Sequence, residues 1–308
     1  MTDFLDSRVT ERRNPRTANI DLASPVEIVD LINTEDATIA AAVRSQRVEI
    51  ARAIEVAEAT FRRGGRLFYV GAGTSGRLGV LDASEMPPTY GTDPEMVQGI
   101  IAGGHAALTR SQEGAEDRLE SAVEDLNAHG VRAGDFVVGI AASGTTPYVR
   151  RALAHARTLG AATALVACSP PTAEARAHAD IVIVPVTGPE VVTGSTRMKA
   201  GTATKLVLNT ITTGAMIRIG KTFGNLMVDM RATNDKLKDR SERIVMEICG
   251  LDREDARAVL ARSGGIVKTA IVMSLLGVVR EEAERQLAEH GGVIRRVVRT
   301  EPPPVIQA

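Results

Sequence analysis

Segment 66–88, RLFYVGAGTSGRLGVLDASEMPP, constrains the fold more than any other part of this sequence. Its first residues, 66–70, are apolar and β-prone, and they lead into a loop of glycines and hydroxyls followed by a helical pattern. A strand that enters a glycine-rich loop and then a helix makes an anion-binding site, because the glycines let the backbone approach and the helix N-terminus supplies unpaired N–H donors. We therefore predict a strand, an anion-binding loop and a short helix that ends at Pro87 and Pro88.

The alternation of strand and helix continues along the chain. Apolar, strand-like runs occur at 66–70, 97–102, 136–142, 164–168 and 181–186. Strands that alternate with helical segments of this length form a parallel, doubly wound sheet, and ligands bind at the carboxyl ends of its strands. The predicted fold class is therefore α/β, with a five-stranded parallel sheet.

Helices are also predicted ahead of the sheet. After a polar arm over residues 1–23, Ser24 and Glu27 form a capping box that starts a helix at Pro25. Apolar residues at a spacing of three and four predict a longer helix over 36–63.

The part of the chain after the sheet is predicted to be helical. Segment 196–220 is apolar or small nearly all round, which is typical of a buried helix. From residue 252 onward, glycines separate three short helical patterns. We therefore expect an N-terminal arm and helices over 1–48, a sheet domain over 49–222 and a small C-terminal helical domain over 223–308.

Composition excludes several classes of protein. The net charge of −1 over 308 residues offers no basic field for nucleic acid or an anionic membrane, and aromatic residues make up only 3%. There is no apolar signal core and no run long enough to span a bilayer. Cys168 and Cys249 lie far apart and the five histidines lack metal-ligand spacing. We expect a soluble protein of a reducing compartment, with no metal, nucleic-acid or membrane partner.

Three loops rich in serine and threonine follow predicted strands. Gly71, Gly73 and Gly76 match the dinucleotide pattern G-x-G-x-x-G, but the second strand does not end in the acid that would hold a ribose. Each loop alone would be an ordinary set of helix caps, whereas three together favour a phosphorylated small molecule. The candidate substrate-binding residues are Gly73, Thr74, Ser75, Ser143, Gly144, Thr145, Thr146, Ser195 and Thr196.

Two glutamates are candidates for proton transfer. Glu116 falls on the apolar stripe of a helix predicted over 108–127, and a buried acid requires a partner or a raised pKa. A purely structural role, in which Glu116 caps a neighbouring loop, stays open. Glu85 comes about 13 Å along its helix from the phosphate loop. It reaches a ligand there only if the chain folds back or a second subunit contributes it.

Other charged side chains lie near the third hydroxyl loop. Glu190 is a rival acid, and Arg197, Lys199 and Lys205 are further candidates for a phosphate contact. Solvated charges on a helix are the more common arrangement for such residues.

Five longer motifs carry a resemblance to a known family. They are GAGTSGRLGVLDASEMPPTYG (71–91), EGAED (113–117), GIAASGTTPYV (139–149), TGPEVVTGSTRMKAGTATKLVLN (187–209) and GNLMVD (224–229). Together they closely resemble the N-acetylmuramic acid 6-phosphate etherases, which belong to the sugar isomerase (SIS) domain proteins. The resemblance spans nearly the whole chain. One departure is Ser169, where the family usually has Asn.

The resemblance implies an activity and its residues. It implies cleavage of the D-lactyl ether at C3 of N-acetylmuramic acid 6-phosphate, giving N-acetylglucosamine 6-phosphate and D-lactate during recycling of cell-wall sugars. Family members are cytoplasmic homodimers that need no metal or nucleotide cofactor. The family's catalytic glutamates correspond to Glu85, the acid towards lactate, and Glu116, the base at C2.

Two other functions stay open at this point. A phosphosugar isomerase would use the same hydroxyl loops and a glutamate base. A non-catalytic sugar-phosphate sensor is the other, because the related glucokinase regulatory proteins bind sugar phosphates on SIS domains. Those proteins are much longer chains with two such domains, and the presence of both Glu85 and Glu116 favours catalysis.

Overall fold

The computed structural model describes residues 8–230 and 235–303. These residues fall into two compact units. The first lies within Met1–Ser84 and Glu95–Thr213, and the second within Glu85–Pro94 and Gly214–Ala308.

A parallel five-stranded sheet forms the centre of the first unit. Its strands are β1 (Leu67–Gly71), β2 (Val97–Ile101), β3 (Phe136–Ile140), β4 (Ala162–Val166) and β5 (Ile181–Ile183). They are ordered β2-β1-β3-β4-β5, and every neighbouring pair is parallel. The order reverses direction at β1, which is the mark of a doubly wound sheet. The predicted fold class is confirmed.

Helices of the first unit surround this sheet. They are α1 (Pro25–Asp36), α2 (Ile39–Ser45), α3 (Arg47–Arg62), α4 (Gly73–Tyr90, whose last residues belong to the second unit), α5 (Leu119–Ala128), α6 (Pro147–Thr158), α7 (Ala173–Arg176) and α8 (Lys199–Arg218, which also runs into the second unit).

The two faces of the sheet are buried against different helices. Phe68 and Val70 on one face of β1 join an apolar cluster with Tyr148 and Leu153 of α6. Tyr69, which points to the other face, places its hydroxyl oxygen 3.5 Å from the Leu208 carbonyl oxygen of α8. Strands that are buried on both faces have continuous apolar sequences. For this reason the predicted strand bounds lie within a few residues of the observed ones.

The N-terminal arm is packed rather than loose. Its described residues form three short 3₁₀ turns, Val9–Glu11, Pro15–Thr17 and Ile20–Leu22. Thr10, Asn14 and Thr17 are buried within it. The capping box at Ser24 and Glu27 is present and starts α1 at Pro25, as predicted.

The single helix predicted over 36–63 is wrong. The chain forms α2 and α3 there, with a break at Gln46. The side chain of Gln46 accepts a hydrogen bond from the backbone N–H of Val184 at 3.0 Å, just beyond β5. A long-range contact of this kind leaves no trace in hydrophobic periodicity.

The helix predicted over 108–127 is also wrong. The chain forms a 3₁₀ turn at His105–Leu108, a second at Ala115–Asp117, and then the shorter helix α5. Gly114 precedes the second turn in a left-handed conformation, with φ of 70°, which interrupts a right-handed helix.

Helix α4 passes through the two prolines that were predicted to end it. Pro87 and Pro88 lie inside its last turns, and the helix continues to Tyr90. Met86 and Tyr90 are buried on either side of the prolines, so tertiary packing holds this end of the helix. The prediction failed because packing overrode the local preference of proline.

The second unit is built mainly from helices around their own apolar core. Its elements are α9 (Asp235–Cys249), α10 (Arg253–Arg262), α11 (Val267–Leu276), α12 (Arg280–Glu289), α13 (Ile294–Val298) and a short antiparallel pair, β6 (Thr222–Phe223) and β7 (Leu226–Met227). Within residues 253–303 the structure contains four helices, where three were predicted.

No single helix in the described ranges is long and apolar enough to span a membrane. Helices α10 and α11 reach that length and apolarity only as a pair bent by 108°.

Candidate active site

The first hydroxyl loop joins β1 to α4. Gly73 adopts a positive φ of 54°, which turns the chain sharply into the helix. A Cβ atom on Gly76 would lie 2.6 Å from the Ile101 side chain and 2.7 Å from the Gly71 carbonyl, so only glycine fits between strand and helix. This close packing places half-buried Thr74 and Ser75 in the first turn of α4, beside its unpaired N–H groups.

The second hydroxyl loop joins β3 to α6. Ser143 and Thr145 hydroxyl oxygens lie 2.9 Å apart, and the Thr145 backbone N–H donates to Ser143 Oγ at 3.3 Å. Gly144 has a positive φ of 74°, and a Cβ there would lie 2.8 Å from Pro171 Cα. Thr146 precedes Pro147 at the start of α6 and its side chain does not cap that helix.

The third cluster precedes α8, and Glu190 defines its geometry. The Glu190 carboxylate accepts hydrogen bonds from the backbone N–H groups of Lys199 and Ala200, at 3.0 and 2.9 Å. Glu190 is fully buried, and burial raises its pKa. Glu190 therefore caps the first turn of α8, where it accepts hydrogen bonds from backbone N–H groups that have no partner within the helix.

The three loops meet around one cavity of about 350 Å³. Its lining residues in the described part of the chain are Arg8, Glu11, Ala72, Gly73, Thr74, Ser75, Glu116, Ala142, Ser143, Thr146 and Thr196. All of them belong to the first unit. The cavity lies at the carboxyl ends of β1 and β3, where a doubly wound sheet binds its ligands.

Glu116 lines this cavity but not in the way the sequence predicts. It is exposed and sits in the turn Ala115–Asp117, before α5 begins, so the expectation of a buried acid on an apolar stripe is wrong. It also borders a second, smaller cavity of about 170 Å³, together with Gly73 and Arg77. Because Glu116 is exposed and lines the larger cavity, its carboxylate is accessible to water and to a ligand bound there.

Several predicted site residues lie outside the cavity lining. Gly144, Thr145 and Ser195 neighbour lining residues without lining the cavity themselves. Glu85 is exposed on α4. It follows Gly73 by twelve positions in that helix, which corresponds to about 18 Å along the helix axis.

The basic candidates have other positions. Lys199 is buried and its Nζ lies 2.6 Å from Glu35 Oε2, and Arg16 pairs with the same carboxylate. The Arg16 hydrogen bonds, with those of Lys199, hold the pKa of Glu35 at about 2. Arg197 and Lys205 are exposed and do not line the cavity.

Arg8 and Glu11 line the cavity and were not predicted from the sequence. They lie in the polar arm, which carries no hydrophobic periodicity or glycine signal that could have placed it.

Within residues 8–230 and 235–303, no group of three or more His, Cys, Asp or Glu side chains forms a metal-binding arrangement.

Comparisons with known proteins agree with the resemblance noted in the motifs. The family model described as the glucokinase regulatory protein N-terminal SIS domain matches residues 49–157. Among solved structures, the phosphoheptose isomerase of Neisseria gonorrhoeae is 16% identical with a TM-score of 0.46, over 62% of this chain and 98% of its own. A likeness at that level carries no functional argument.

Curated relatives are far more similar. The N-acetylmuramic acid 6-phosphate etherase of Rhodopirellula baltica is 55% identical over 88% of this chain and 89% of its own length. The protein of the same name from Gloeobacter violaceus is 57% identical over 85% of this chain and 86% of its own. The chain described here belongs to the N-acetylmuramic acid 6-phosphate etherase family.

Proposed function

We propose that this chain cleaves the D-lactyl ether of N-acetylmuramic acid 6-phosphate in the cavity at the carboxyl ends of β1 and β3. The products are N-acetylglucosamine 6-phosphate and D-lactate. The observation that carries the proposal is the position of Glu116 in one cavity with hydroxyls of all three loops, in a member of this family. The cytoplasm is the proposed site of action, on amino sugars derived from the cell wall.

The phosphate is proposed to bind between the N-termini of α4 and α6. Thr74, Ser75, Ser143 and Thr146 offer hydroxyl groups there, and the first turns of both helices offer backbone N–H donors. Helix N-termini favour a dianion through their dipoles as well as their donors. Thr196 adds a hydroxyl from the third loop. Gly73, Gly144, Thr145 and Ser195 are proposed to shape the loops around the phosphate.

The reaction needs one base and one acid. In the open-chain sugar the C1 aldehyde acidifies the C2 proton, which Glu116 removes while an acid protonates the ether oxygen at C3 and D-lactate leaves. Water then adds to C3 of the unsaturated aldehyde, and a proton returns to C2. The sum is substrate plus water giving the two products.

Glu85 is proposed as the acid, contributed by a second copy of the chain in a homodimer. Its exposure and its place far along α4 from Gly73 support this assignment.

The activity is tested by incubating the purified chain with N-acetylmuramic acid 6-phosphate and quantifying the products. The proposal predicts equimolar D-lactate and N-acetylglucosamine 6-phosphate without added metal or nucleotide. A ketose sugar phosphate with the lactyl ether intact would instead identify an isomerase. Tight binding of the substrate without turnover would identify a sensor.

A further inference from the structure

The N-terminal arm, residues 8–22, forms one wall of the substrate cavity. Arg8 and Glu11 line the cavity from this arm. Glu11 lies beside the third hydroxyl loop, because a Cβ atom on Gly194 would come 3.4 Å from its carboxylate. The arm therefore contributes two charged groups to a cavity whose other walls come from sheet loops.

Hydrogen bonds to distant segments hold the arm in place. The backbone N–H of Val9 donates to Ser169 Oγ at 2.9 Å, and Ser169 is fully buried. The Thr17 hydroxyl donates to the Val191 carbonyl at 2.8 Å. Val9 follows Arg8 directly, so the bond to Ser169 fixes the backbone that carries the Arg8 side chain. Buried hydrogen bonds of this kind hold the arm in one position on the sheet domain.

The charged side chains that line the cavity indicate a role for Arg8. Among the described lining residues, Arg8 is the only cation, whereas Glu11 and Glu116 are both acids. The proposed substrate carries two anionic groups, the phosphate at C6 and the carboxylate of the lactyl group at C3. The hydroxyls and helix N-termini already provide for the phosphate. The lactyl carboxylate has to lie near Glu116, since C2 and C3 are adjacent, and two carboxylates repel unless a cation compensates.

We propose that Arg8 binds the carboxylate of the lactyl group, so that the enzyme acts on lactyl ethers in preference to other amino-sugar phosphates. This inference rests on the proposed function. A guanidinium group suits the task because its planar fork can donate two parallel hydrogen bonds to a carboxylate. Arg8 is then a specificity determinant of the reaction, presented by the arm.

The test compares Arg8→Gln and Arg8→Lys with Arg13→Gln, a control at an exposed arm arginine that does not line the cavity. Two quantities are measured: kcat/KM for N-acetylmuramic acid 6-phosphate, and the inhibition constant of N-acetylglucosamine 6-phosphate, which lacks the lactyl group. We expect kcat/KM to fall about 100-fold in Arg8→Gln and about 10-fold in Arg8→Lys. The inhibition constant should stay within about twofold of the wild-type value, and Arg13→Gln should behave as wild type.

A substrate analogue whose lactyl carboxylate is converted to an amide allows the Arg8 side chain and the carboxylate to be removed separately and together, as in a double-mutant cycle. The wild type should lose about as much kcat/KM on this analogue as Arg8→Gln loses on the natural substrate, and the variant should lose little more. An inhibition constant that rises in parallel with the loss of kcat/KM would place Arg8 at the phosphate, or the arm in a general structural role, and overturn the proposal. Unchanged kcat/KM in Arg8→Gln would overturn it as well. Failure of the wild type to release lactate would refute the proposed function itself.

Discussion

Glu116 stands on a short turn at the rim of the cavity, open to solvent and next to the loop that begins α4. Its neighbour Glu113 lies three residues earlier, is exposed, accepts a hydrogen bond from the Ser111 hydroxyl and borders only the smaller cavity. The two glutamates are therefore matched in charge and exposure but differ in access to the proposed sugar site. That difference makes Glu113 a control for Glu116.

Glu116→Gln should slow proton transfer at C2. The measurement is deuterium exchange into C2 of N-acetylglucosamine 6-phosphate in deuterated water, followed by NMR. We expect a decrease of at least about 100-fold, the range for loss of a general base, and a near wild-type rate in Glu113→Gln. Full-rate exchange in Glu116→Gln would remove Glu116 as the base.

The carboxylate of Glu35 is expected to stabilise the fold in a pH-dependent way. It bridges Arg16 and buried Lys199, and its pKa in the folded protein is about 2 against 4.5 for an ordinary glutamate. A lowered pKa means that this contribution is fully present above pH 4.5 and is lost as pH falls towards 2.

Glu35→Gln should therefore lower the free energy of unfolding by about 3 kcal/mol at neutral pH, because it leaves Lys199 buried without its charge partner. The difference between wild type and variant should shrink as pH falls from 4.5 towards 2, as measured by urea unfolding at each pH. Glu49→Gln, which breaks the surface pair with Arg52, is the control and should change stability by less than about 1 kcal/mol. A constant difference across this pH range would contradict the assigned role of Glu35.

One buried carboxylate, that of Asp82, ties α4 to β1 and α8. Asp82 accepts hydrogen bonds from the Tyr69 hydroxyl at 2.8 Å, from Asn209 Nδ2 at 2.5 Å and from the Thr212 hydroxyl at 3.0 Å. Burial raises the pKa of Asp82, while these donors oppose the rise. Glu85 follows one turn later on the same helix, so this cluster helps to fix the helix that carries it.

Asp82→Ala should lower the free energy of unfolding by about 2–3 kcal/mol, because buried donors lose their acceptor. It should also lower kcat, since the far half of α4 loses its anchor. The control is Ser84→Ala, which removes an exposed hydroxyl that donates a hydrogen bond within α4, to the Leu81 carbonyl. Equal stability of the two variants in urea unfolding would contradict the role of the Asp82 cluster.

The elements also show which parts of the structure can be predicted from sequence. The strands and the hydroxyl loops after β1 and β3 could be predicted, because doubly buried strands and strand–loop–helix turns have strong local signals. The exposure of Glu116 could not be predicted, because one helical period was extended across Gly114, which has a positive φ. The place of Arg8 depends on a hydrogen bond from Val9 to Ser169, 160 residues away, and no local pattern encodes it.

Two chains are proposed to build each active site. Glu116 of one chain and Glu85 of the partner subunit are proposed to act on one sugar. Glu85→Gln and Glu116→Gln should each be inactive alone, yet mixing and reassociating equal amounts should restore about one quarter of the wild-type activity. Half of the dimers are then mixed, and each mixed dimer has one site with both glutamates. Absence of recovery, with mixed dimers demonstrated by differential tags, would contradict a shared site.

Elimination followed by hydration at C3 is tested by turnover of N-acetylmuramic acid 6-phosphate in water labelled with both deuterium and oxygen-18. We expect deuterium at C2 and oxygen-18 at C3 of the N-acetylglucosamine 6-phosphate, with no oxygen-18 at the hydroxyl of the released D-lactate. Mass spectrometry and NMR of the two products locate the labels. Oxygen-18 in the lactate hydroxyl, or labelled oxygen at C3 without deuterium at C2, would contradict elimination followed by hydration at C3.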